Sequence, residues 1–465
     1  MVITRRCQRL NSGSSPGRCT SFSEFYYSEL FYFSYQSVYL NSCKANTVNM
    51  IWQPVVADEW KAQRRGSLSD VKDIVAGIIE DVRANGDAAL FALTEKFDKQ
   101  KLETLKITQE QIDAAYDMVE PELVQALIEA EARITAFHEL QKPKTLWLEE
   151  IEPGITLGVK TTPLERIGAY IPGGRAAYPS TVLMTTVAAR VAGVKEIVLC
   201  TPPPANPLTL VALDIAGVTE AYQIGGAQAV AAMALGTETI RPVQKIVGPG
   251  NVFVTQAKMM LREYAEIDFP AGPSEVGIVA DDSANPAFVA AEVLAQAEHD
   301  PNSACVLVTD SAELAEAVGR EIDVQSADAP RAEIMEKSLS HSGYIVTETL
   351  EEALSVIDDI APEHLCIMTK DPLTSLSSIH NAGSIFVGPY TPVACGDYAS
   401  GTNHVLPTAG YAKSYSALDV GHFMKRSQVQ MVSRTGLDVI GDTIETLAQA
   451  EGLFAHENSV KLRRK

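Results

Sequence analysis

The sequence has few cysteines, and they are widely separated along the chain. Its 465 residues include seven cysteines, with no C-x-x-C pair: Cys7, Cys19, Cys43, Cys200, Cys305, Cys366 and Cys395. This scatter argues against a disulfide framework and against a structural zinc finger. Unpaired cysteines are typical of a reducing compartment, so we expect a cytoplasmic location.

Excess positive charge and long apolar runs are also missing. Lys and Arg number 38 against 59 Asp and Glu, which gives a formal net charge of -21. Binding to nucleic acid or to an anionic membrane needs clustered basic residues, so neither partner is expected. No run of about 18 uncharged apolar residues occurs, so no spanning helix is expected. With 46% hydrophobic residues, the composition indicates a soluble globular protein whose partner is a small molecule.

The standard glycine motifs for nucleotides are absent as well. No G-x-x-x-x-G-K-[ST] loop occurs, and GPGNVF at 248–253 matches only the first half of G-x-G-x-x-G. Glycine-containing turns at 168–180, 225–226 and 248–253 nevertheless follow strand-like runs. Such turns at one edge of a parallel sheet would face one crevice, where α/β proteins usually bind ligands. A nucleotide site is one interpretation, and ordinary tight turns are the other.

Residues 1–49 differ from the rest of the chain. They are rich in serine and aromatic residues, and Arg5, Arg6, Arg9 and Arg18 precede the first acidic residue, Glu24. A targeting segment is one interpretation. The other is an upstream extension that is disordered or not part of the folded protein, with Met50 as the natural start.

The main part of the chain alternates between short apolar runs and helical patterns. Strands are predicted at 167–171, 196–200, 221–224, 245–247, 276–280, 305–309, 344–346, 365–368 and 384–387. Helical patterns follow most of them, as in a parallel α/β sheet. The sequence therefore predicts two α/β units divided near 270–273. Before them, helices are predicted from about 71 to Gly86 and at 121–141; after them, a strand at 429–432 and a helix at 437–450.

Gln296 and His299 are candidate metal ligands. Asn285 and Pro286 form a typical helix start, and a helix reaching about 299 would place both side chains on its inward, apolar stripe. Asp397, in a segment rich in Gly, Ser and Thr, and His456 would complete an oxygen and nitrogen set that suits zinc. The alternative is a hydrogen-bonded core glutamine and a histidine at a helix end.

Glu363 and His364 are candidates for proton transfer. They follow Pro362 and precede the apolar run 365–368, so they lie at the entrance to a predicted strand. Histidine titrates near neutrality and can take a hydroxyl proton, and a buried glutamate can activate water. An ordinary strand start is the alternative. Glu451 and His456 flank Gly452, which is expected to end the last helix.

Five longer motifs occur in this order: AGPSE at 271–275, LAQAEHDP at 294–301, APEHL at 361–365, GDYASGTNHVLPT at 396–408 and AEGLFAH at 450–456. Together they resemble the histidinol dehydrogenase family. The resemblance covers about residues 50–465. It implies an α/β fold with two incomplete Rossmann-like domains and small N- and C-terminal appendages, in a domain-swapped homodimer with shared active sites. The implied domains are 167–273 and 274–418, with a helical region at 50–166 packing on the second α/β unit and a swapped appendage at 419–465.

The resemblance also implies the site residues. A zinc ion in each subunit is assigned to Gln296, His299, Asp397 and His456, the last from the other subunit. Glu363 and His364 match the proton-transfer pair. Positions that touch NAD and positions that touch substrate complete the set: Tyr170, Gln228 and Asn251 for NAD; Ser274, Gln296, His299, His364, Asp397, His404, Glu451 and His456 for substrate.

The implied reaction is the NAD-linked, four-electron oxidation of L-histidinol to L-histidine through histidinaldehyde, the last step of histidine biosynthesis. His364 is expected to take the hydroxyl proton and Glu363 to activate water for the aldehyde. Three alternatives stay open at this point. They are a related zinc dehydrogenase for another polyol or hydroxy-sulfonate, a metal-binding homologue without activity, and a zinc hydrolase, which would leave the glycine turns unexplained.

Overall fold

The computed structural model describes residues 52–64, 68–173 and 177–465. The predicted extension at 1–49 lies outside the described residues. None of the helices in the described ranges combines the length and apolar character needed to cross a membrane.

The strands and helices follow the predicted alternation. The strands are β1 Gln53–Pro54, β2 Leu146–Glu152, β3 Ile155–Pro163, β4 Arg166–Tyr170, β5 Glu196–Thr201, β6 Glu220–Gln223, β7 Lys245–Val247, β8 Glu266–Ile267, β9 Glu275–Ala280, β10 Ala304–Thr309, β11 Gly343–Val346, β12 His364–Met368, β13 Ser384–Val387 and β14 Met424–Val432. The α-helices are α1 Ala57–Arg64, α2 Lys72–Asp98, α3 Gln109–Tyr116, α4 Pro121–Leu140, α5 Pro179–Ala192, α6 Pro207–Ala216, α7 Gly226–Leu235, α8 Val252–Met260, α9 Pro286–Ala297, α10 Ala312–Ser326, α11 Ala332–Leu339, α12 Leu350–Ile360, α13 Pro372–Leu376, α14 Arg434–Ala450 and α15 Phe454–Arg464.

The first parallel sheet has the strand order β6-β5-β4-β7-β8. Its apolar strands bury both faces. In β5, Ile197 and Leu199 contribute to one hydrophobic cluster, and Val198 and Cys200 to the cluster on the opposite face. Because successive strand residues point to opposite sides, a continuous apolar run suits a sheet covered by helices on both faces.

The second parallel sheet has the order β1-β11-β10-β9-β12-β13. It is built in the same way: Val276 and Ile278 of β9 face one cluster, and Val279 faces the other. The prediction of a mixed α/β fold with parallel sheets is therefore confirmed.

A third sheet is antiparallel, with the order β14-β3-β2. The hairpin of β2 and β3 was not predicted, because every residue of β2 is exposed and its sequence LWLEEIE shows no burial pattern. Strand β14 was predicted only at 429–432, yet it pairs with β3 from Met424 onward.

The first helical segment ends at Gly86 as predicted, because its φ of +52° is not helical, and a second helical segment follows it within α2 to Asp98. Two other expectations differ from the structure. After Gly452 a further helix, α15, follows. Finally, the predicted packing of 50–166 on the second unit is wrong for α2 to α4, whose apolar residues join the clusters around the first sheet. The segment of β1 and α1 does pack on the second sheet, through Trp52 and Trp60.

Candidate active site

A cleft of about 2840 Å³ runs between the two parallel sheets. From the first sheet it is lined by residues at the carboxyl ends of strands, such as Tyr170 of β4 and Gly248 after β7. From the second sheet it is lined by residues at the amino ends of strands, such as Ser274 before β9 and His364 at the start of β12. The two sheets therefore contribute opposite edges to one cleft.

Most of the sequence-predicted site residues line this cleft. They are Tyr170, Gln228, Asn251, Ser274, Gln296, His299, Glu363, His364, Asp397 and His404. Glu451 and His456 lie elsewhere, with exposed side chains at the end of α14 and the start of α15. One chain thus brings together all but two of the predicted residues.

The glycine turns of the first sheet face the cleft as predicted, apart from 174–176, which lie outside the described residues. The Tyr170 hydroxyl accepts a hydrogen bond from the Gly226 amide at 3.1 Å, and burial raises the pKa of that hydroxyl to about 12. Asn251 caps α8, with its side-chain oxygen accepting from the amides of Phe253 and Val254. These contacts hold the turns in place.

The turn at Gly248 is held by a buried ion pair that the sequence did not reveal. The Lys258 ammonium pairs with the Asp268 carboxylate and donates to the Gly248 carbonyl at 3.0 Å. The Asp268 carboxylate in turn accepts from the Gly248 amide at 2.8 Å. Gly248 has φ +111°, and a Cβ there would lie 2.2 Å from the Tyr170 carbonyl oxygen. Only glycine fits this position without strain.

The three candidate zinc ligands of this chain come from two segments. Gln296 is buried in the last turn of α9, whose start is capped by Asn285 as predicted. His299 lies two residues beyond the end of α9 and is exposed, so it does not continue the buried stripe of that helix. Asp397 lies in a π-helical turn, Cys395–Ala399, a distortion that is frequent at functional sites.

With a further ligand, Gln296, His299 and Asp397 could hold a metal ion. The Gln296 Nε2 atom is buried and has no hydrogen-bond partner among the described residues, and an amide can be turned to present its oxygen instead. Within the described ranges no group of three His, Cys, Asp or Glu side chains could hold a metal ion. A neutral amide with one imidazole and one carboxylate leaves room for a fourth donor from another chain.

Glu363 and His364 are both buried, and His364 lies beside Asp397, one of the candidate ligands. Burial raises the pKa of Glu363 well above its ordinary value, and the charges of Glu275 and Asp397 also raise it, although a hydrogen bond from the Glu275 amide opposes the shift. Burial lowers the pKa of His364 to about 4. Burial thus favours the neutral imidazole of His364 and the protonated carboxyl group of Glu363.

The hydrogen bonds of His364 define its tautomer. Nδ1 lies 3.1 Å from the Glu275 carbonyl oxygen, which can only accept, so Nδ1 carries the proton. Nε2 therefore has the free electron pair, and it has no hydrogen-bond partner in the part of the chain that the structure describes. His364 can act as a base through Nε2.

His404 lies in the same segment as Asp397 and also lines the cleft. Its Nδ1 lies 3.0 Å from the Asp397 carbonyl oxygen, and its Nε2 lies 3.3 Å from the Thr181 hydroxyl. Burial lowers the pKa of His404, against the opposing charge of Asp397. No pattern in the sequence pointed to Thr181 as its partner.

Comparison with known proteins finds a match over most of the chain. The histidinol dehydrogenase family model matches residues 61–464. Histidinol dehydrogenase of Methanosarcina barkeri is 52% identical over 412 residues, covering 88% of this chain and 95% of the relative. The chain belongs to the histidinol dehydrogenase family.

Other members of the histidinol dehydrogenase family agree over similar lengths. The protein of Vibrio parahaemolyticus is 44% identical over 421 residues, covering 89% of this chain and 97% of its own. The crystal structure of histidinol dehydrogenase from Elizabethkingia anophelis has a TM-score of 0.86 at 39% identity, covering 89% of this chain and 98% of that one. The resemblance stated from five motifs is thus confirmed, and the family model matches residues 61–464 of the expected range of about 50–465.

Proposed function

We propose that this protein is a zinc-dependent, NAD-linked histidinol dehydrogenase, which oxidises L-histidinol to L-histidine through histidinaldehyde as the last step of histidine biosynthesis. The observation that carries the proposal is the position of His364. Its Nε2 atom, which has no hydrogen-bond partner among the described residues, lies 3.8 Å from Asp397 Oδ1, beside a set of donors that fits zinc. A base next to a metal that orients an alcohol is the arrangement that an alcohol oxidation needs.

Gln296, His299 and Asp397 would hold the zinc ion, with His456 of the partner subunit as the fourth ligand. Tyr170, Gln228 and Asn251 would contact NAD at the carboxyl edge of the first sheet, and Ser274, His404 and the partner subunit's Glu451 would contact substrate. When bound, zinc supplies a Lewis acid that orients the nitrogen donors of the substrate, and NAD supplies the acceptor for hydride.

The proton transfers are assigned to this chain's own side chains. His364 Nε2 takes the hydroxyl proton as the alcohol carbon loses hydride, which gives the aldehyde. Glu363, once ionised, takes a proton from the water that adds to the aldehyde carbon. His364, after releasing its first proton to solvent, then takes the hydroxyl proton of the hydrate anion as the second hydride leaves, which gives the carboxylate. Burial of both residues keeps bulk water from competing for these protons.

The dimer with shared sites rests on where the remaining residues lie. Glu451 and His456 are exposed and outside the cleft of their own chain. Large apolar side chains are exposed around them and on β2: Leu146, Trp147, Leu148, Ile151, Val439, Leu447, Leu453, Phe454 and Leu462. An apolar surface of this extent suits a permanent partner. The two incomplete Rossmann-like domains, 167–273 and 274–418, with 419–465 as a swapped appendage, and a cytoplasmic location belong to the same proposal.

The direct test is the yield of NADH per molecule of L-histidinol consumed, with zinc added. Two equivalents are expected, because both oxidations occur in one site. A yield of one equivalent would mean that the reaction stops at the aldehyde. Sulfopropanediol assayed in parallel distinguishes the related dehydrogenases, and faster turnover of it than of histidinol would overturn the substrate assignment.

A further inference from the structure

Arg64, the last residue of α1, is buried, and its guanidinium lies against two segments, the one that leads into β9 and the loop that follows His299. Its Nε lies 3.1 Å from Glu275 Oε2. Its Nη2 donates to the Pro273 and Ser274 carbonyls, at 2.9 and 3.1 Å. Its Nη1 donates to the Asn302 carbonyl at 2.8 Å. One side chain thus joins the start of β9 to the loop after His299.

Glu275 in turn holds both members of the proton-transfer pair with its backbone. Its amide donates to Glu363 Oε2 at 2.8 Å, and its carbonyl accepts from His364 Nδ1 at 3.1 Å. Its second carboxylate oxygen accepts from the Ala409 amide at 2.8 Å. A shift of Glu275 would displace Glu363, and it would also break the hydrogen bond that fixes the tautomer of His364.

We propose, on the basis of the function proposed above, that Arg64 is a positioning residue for the reaction, which acts through Glu275 to hold Glu363 and His364. The physical reason is the number of bonds that a guanidinium can form at once. Arginine offers five N–H donors in a planar fork, so it can bind a carboxylate and three carbonyls from one place. Lysine can match the charge but not this geometry.

The alternative is that Arg64 only balances the buried charge of Glu275. The two roles are separated by Arg64→Met, Arg64→Lys and the double variant Arg64→Met/Glu275→Gln. The double variant removes both charges, so it leaves no uncompensated charge in the protein interior. Its new amide side chain can still accept from the Ala409 amide. Arg262→Met is the matched control, because Arg262 forms an exposed ion pair with Glu266, four positions along the chain.

The first measurement is the tautomer of His364, from ¹⁵N NMR of histidine-labelled, metal-free protein, with the signal assigned by its loss in His364→Asn. The Nδ1–H form is expected in the wild type and in Arg262→Met. A mixture of both tautomers is expected in all three Arg64 variants, the double variant included. This measurement needs no substrate, so it decides the role of Arg64 even if histidinol is not oxidised and the proposed function fails.

The second measurement is steady-state turnover. A misplaced catalytic group costs about 10²-fold in rate, so kcat of Arg64→Met and of the double variant should fall by about this factor, with KM for histidinol near the wild-type value. If the double variant regains the wild-type tautomer and kcat, charge balance is the whole role and the proposal is overturned. The same holds if folded Arg64→Lys matches the wild type in both measurements. Should Arg64→Met fail to fold, the lysine and double variants decide.

Discussion

His364 Nε2 and Asp397 Oδ1 face each other across 3.8 Å in the cleft between the two parallel sheets. This separation is longer than a hydrogen bond but short enough for one bound group to contact both atoms. The base proposed for the oxidation and a proposed zinc ligand therefore act on the same small volume, which ties metal binding to proton transfer.

Replacing His364 by Asn tests the base. Asparagine can still donate to the Glu275 carbonyl but cannot take a proton, so both oxidations should slow by about 10²- to 10⁴-fold. Zinc content should stay at the wild-type level, since His364 is not among the proposed ligands. Rates with histidinol and with histidinaldehyde, beside metal analysis, measure this. Exposed His341 gives the control, His341→Asn, and an unchanged rate with either substrate in His364→Asn would contradict the assignment.

Glu363→Gln separates the two half-reactions. Because Glu363 is proposed to activate water only after the first oxidation, the aldehyde step should fall by about 10²-fold or more, and the alcohol step should change little. In the wild type the aldehyde step should rise with pH as Glu363 ionises, since its pKa is raised. Stopped-flow measurement of each step at several pH values tests both statements. Equal loss of the two steps would show that Glu363 has no separate role.

Acid should destabilise the metal-free protein through His364. The unfolded histidine gains its proton near pH 6.5, but the folded one only near 4, so the unfolded state binds more protons between these values. Stability from this group is therefore present above pH 6.5 and lost as the pH falls to 4, on the order of 3 kcal/mol. Thermal unfolding of wild type and His364→Asn should show their difference changing over this window. Glu363 titrates in both proteins, so its contribution cancels in the difference between them. If the stabilities of the two proteins change with pH in parallel over this window, the lowered pKa of His364 is refuted.

Mixed dimers test the shared site. His299→Ala and His456→Ala should each be inactive alone, because each removes a zinc ligand from both sites of the dimer. After unfolding and refolding together, each mixed dimer should regain one complete site, formed by the unaltered residues of the two chains. Activity after mixing, compared with each variant refolded alone, is the measurement. If mixing restores nothing, His456 does not act across subunits.

Lys258→Met should weaken the NAD side of the cleft. It leaves Asp268 buried without its partner, which should cost about 3–5 kcal/mol of stability, and it releases the Gly248 carbonyl beside Asn251. The KM for NAD should rise while the KM for histidinol stays near the wild-type value. Denaturant unfolding and steady-state kinetics measure the two effects, with Lys195→Met at an exposed position as control. A rise in the histidinol KM alone would mean that the Gly248 turn serves another ligand.

The local pattern of the sequence was sufficient for the parallel strands and for several site segments. Apolar runs predicted the strands from β4 to β13 apart from the two-residue β8, and Asn285-Pro286 marked the start of α9. The local pattern failed to predict β2, where no alternating burial marks the sequence. The exposed strand β2 shows no alternation of apolar and polar residues.

By itself the sequence determined the alternating elements, the family and the residue types that the chemistry needs, because periodicity and motifs are recorded over short spans. Only the tertiary structure decided that the carboxyl edge of one sheet meets the amino edge of the other. It also brought Arg64 to Glu275, 211 positions away, and left His456 outside its own cleft. Such contacts depend on the packing of distant elements into common cores, and no single segment of the chain determines them.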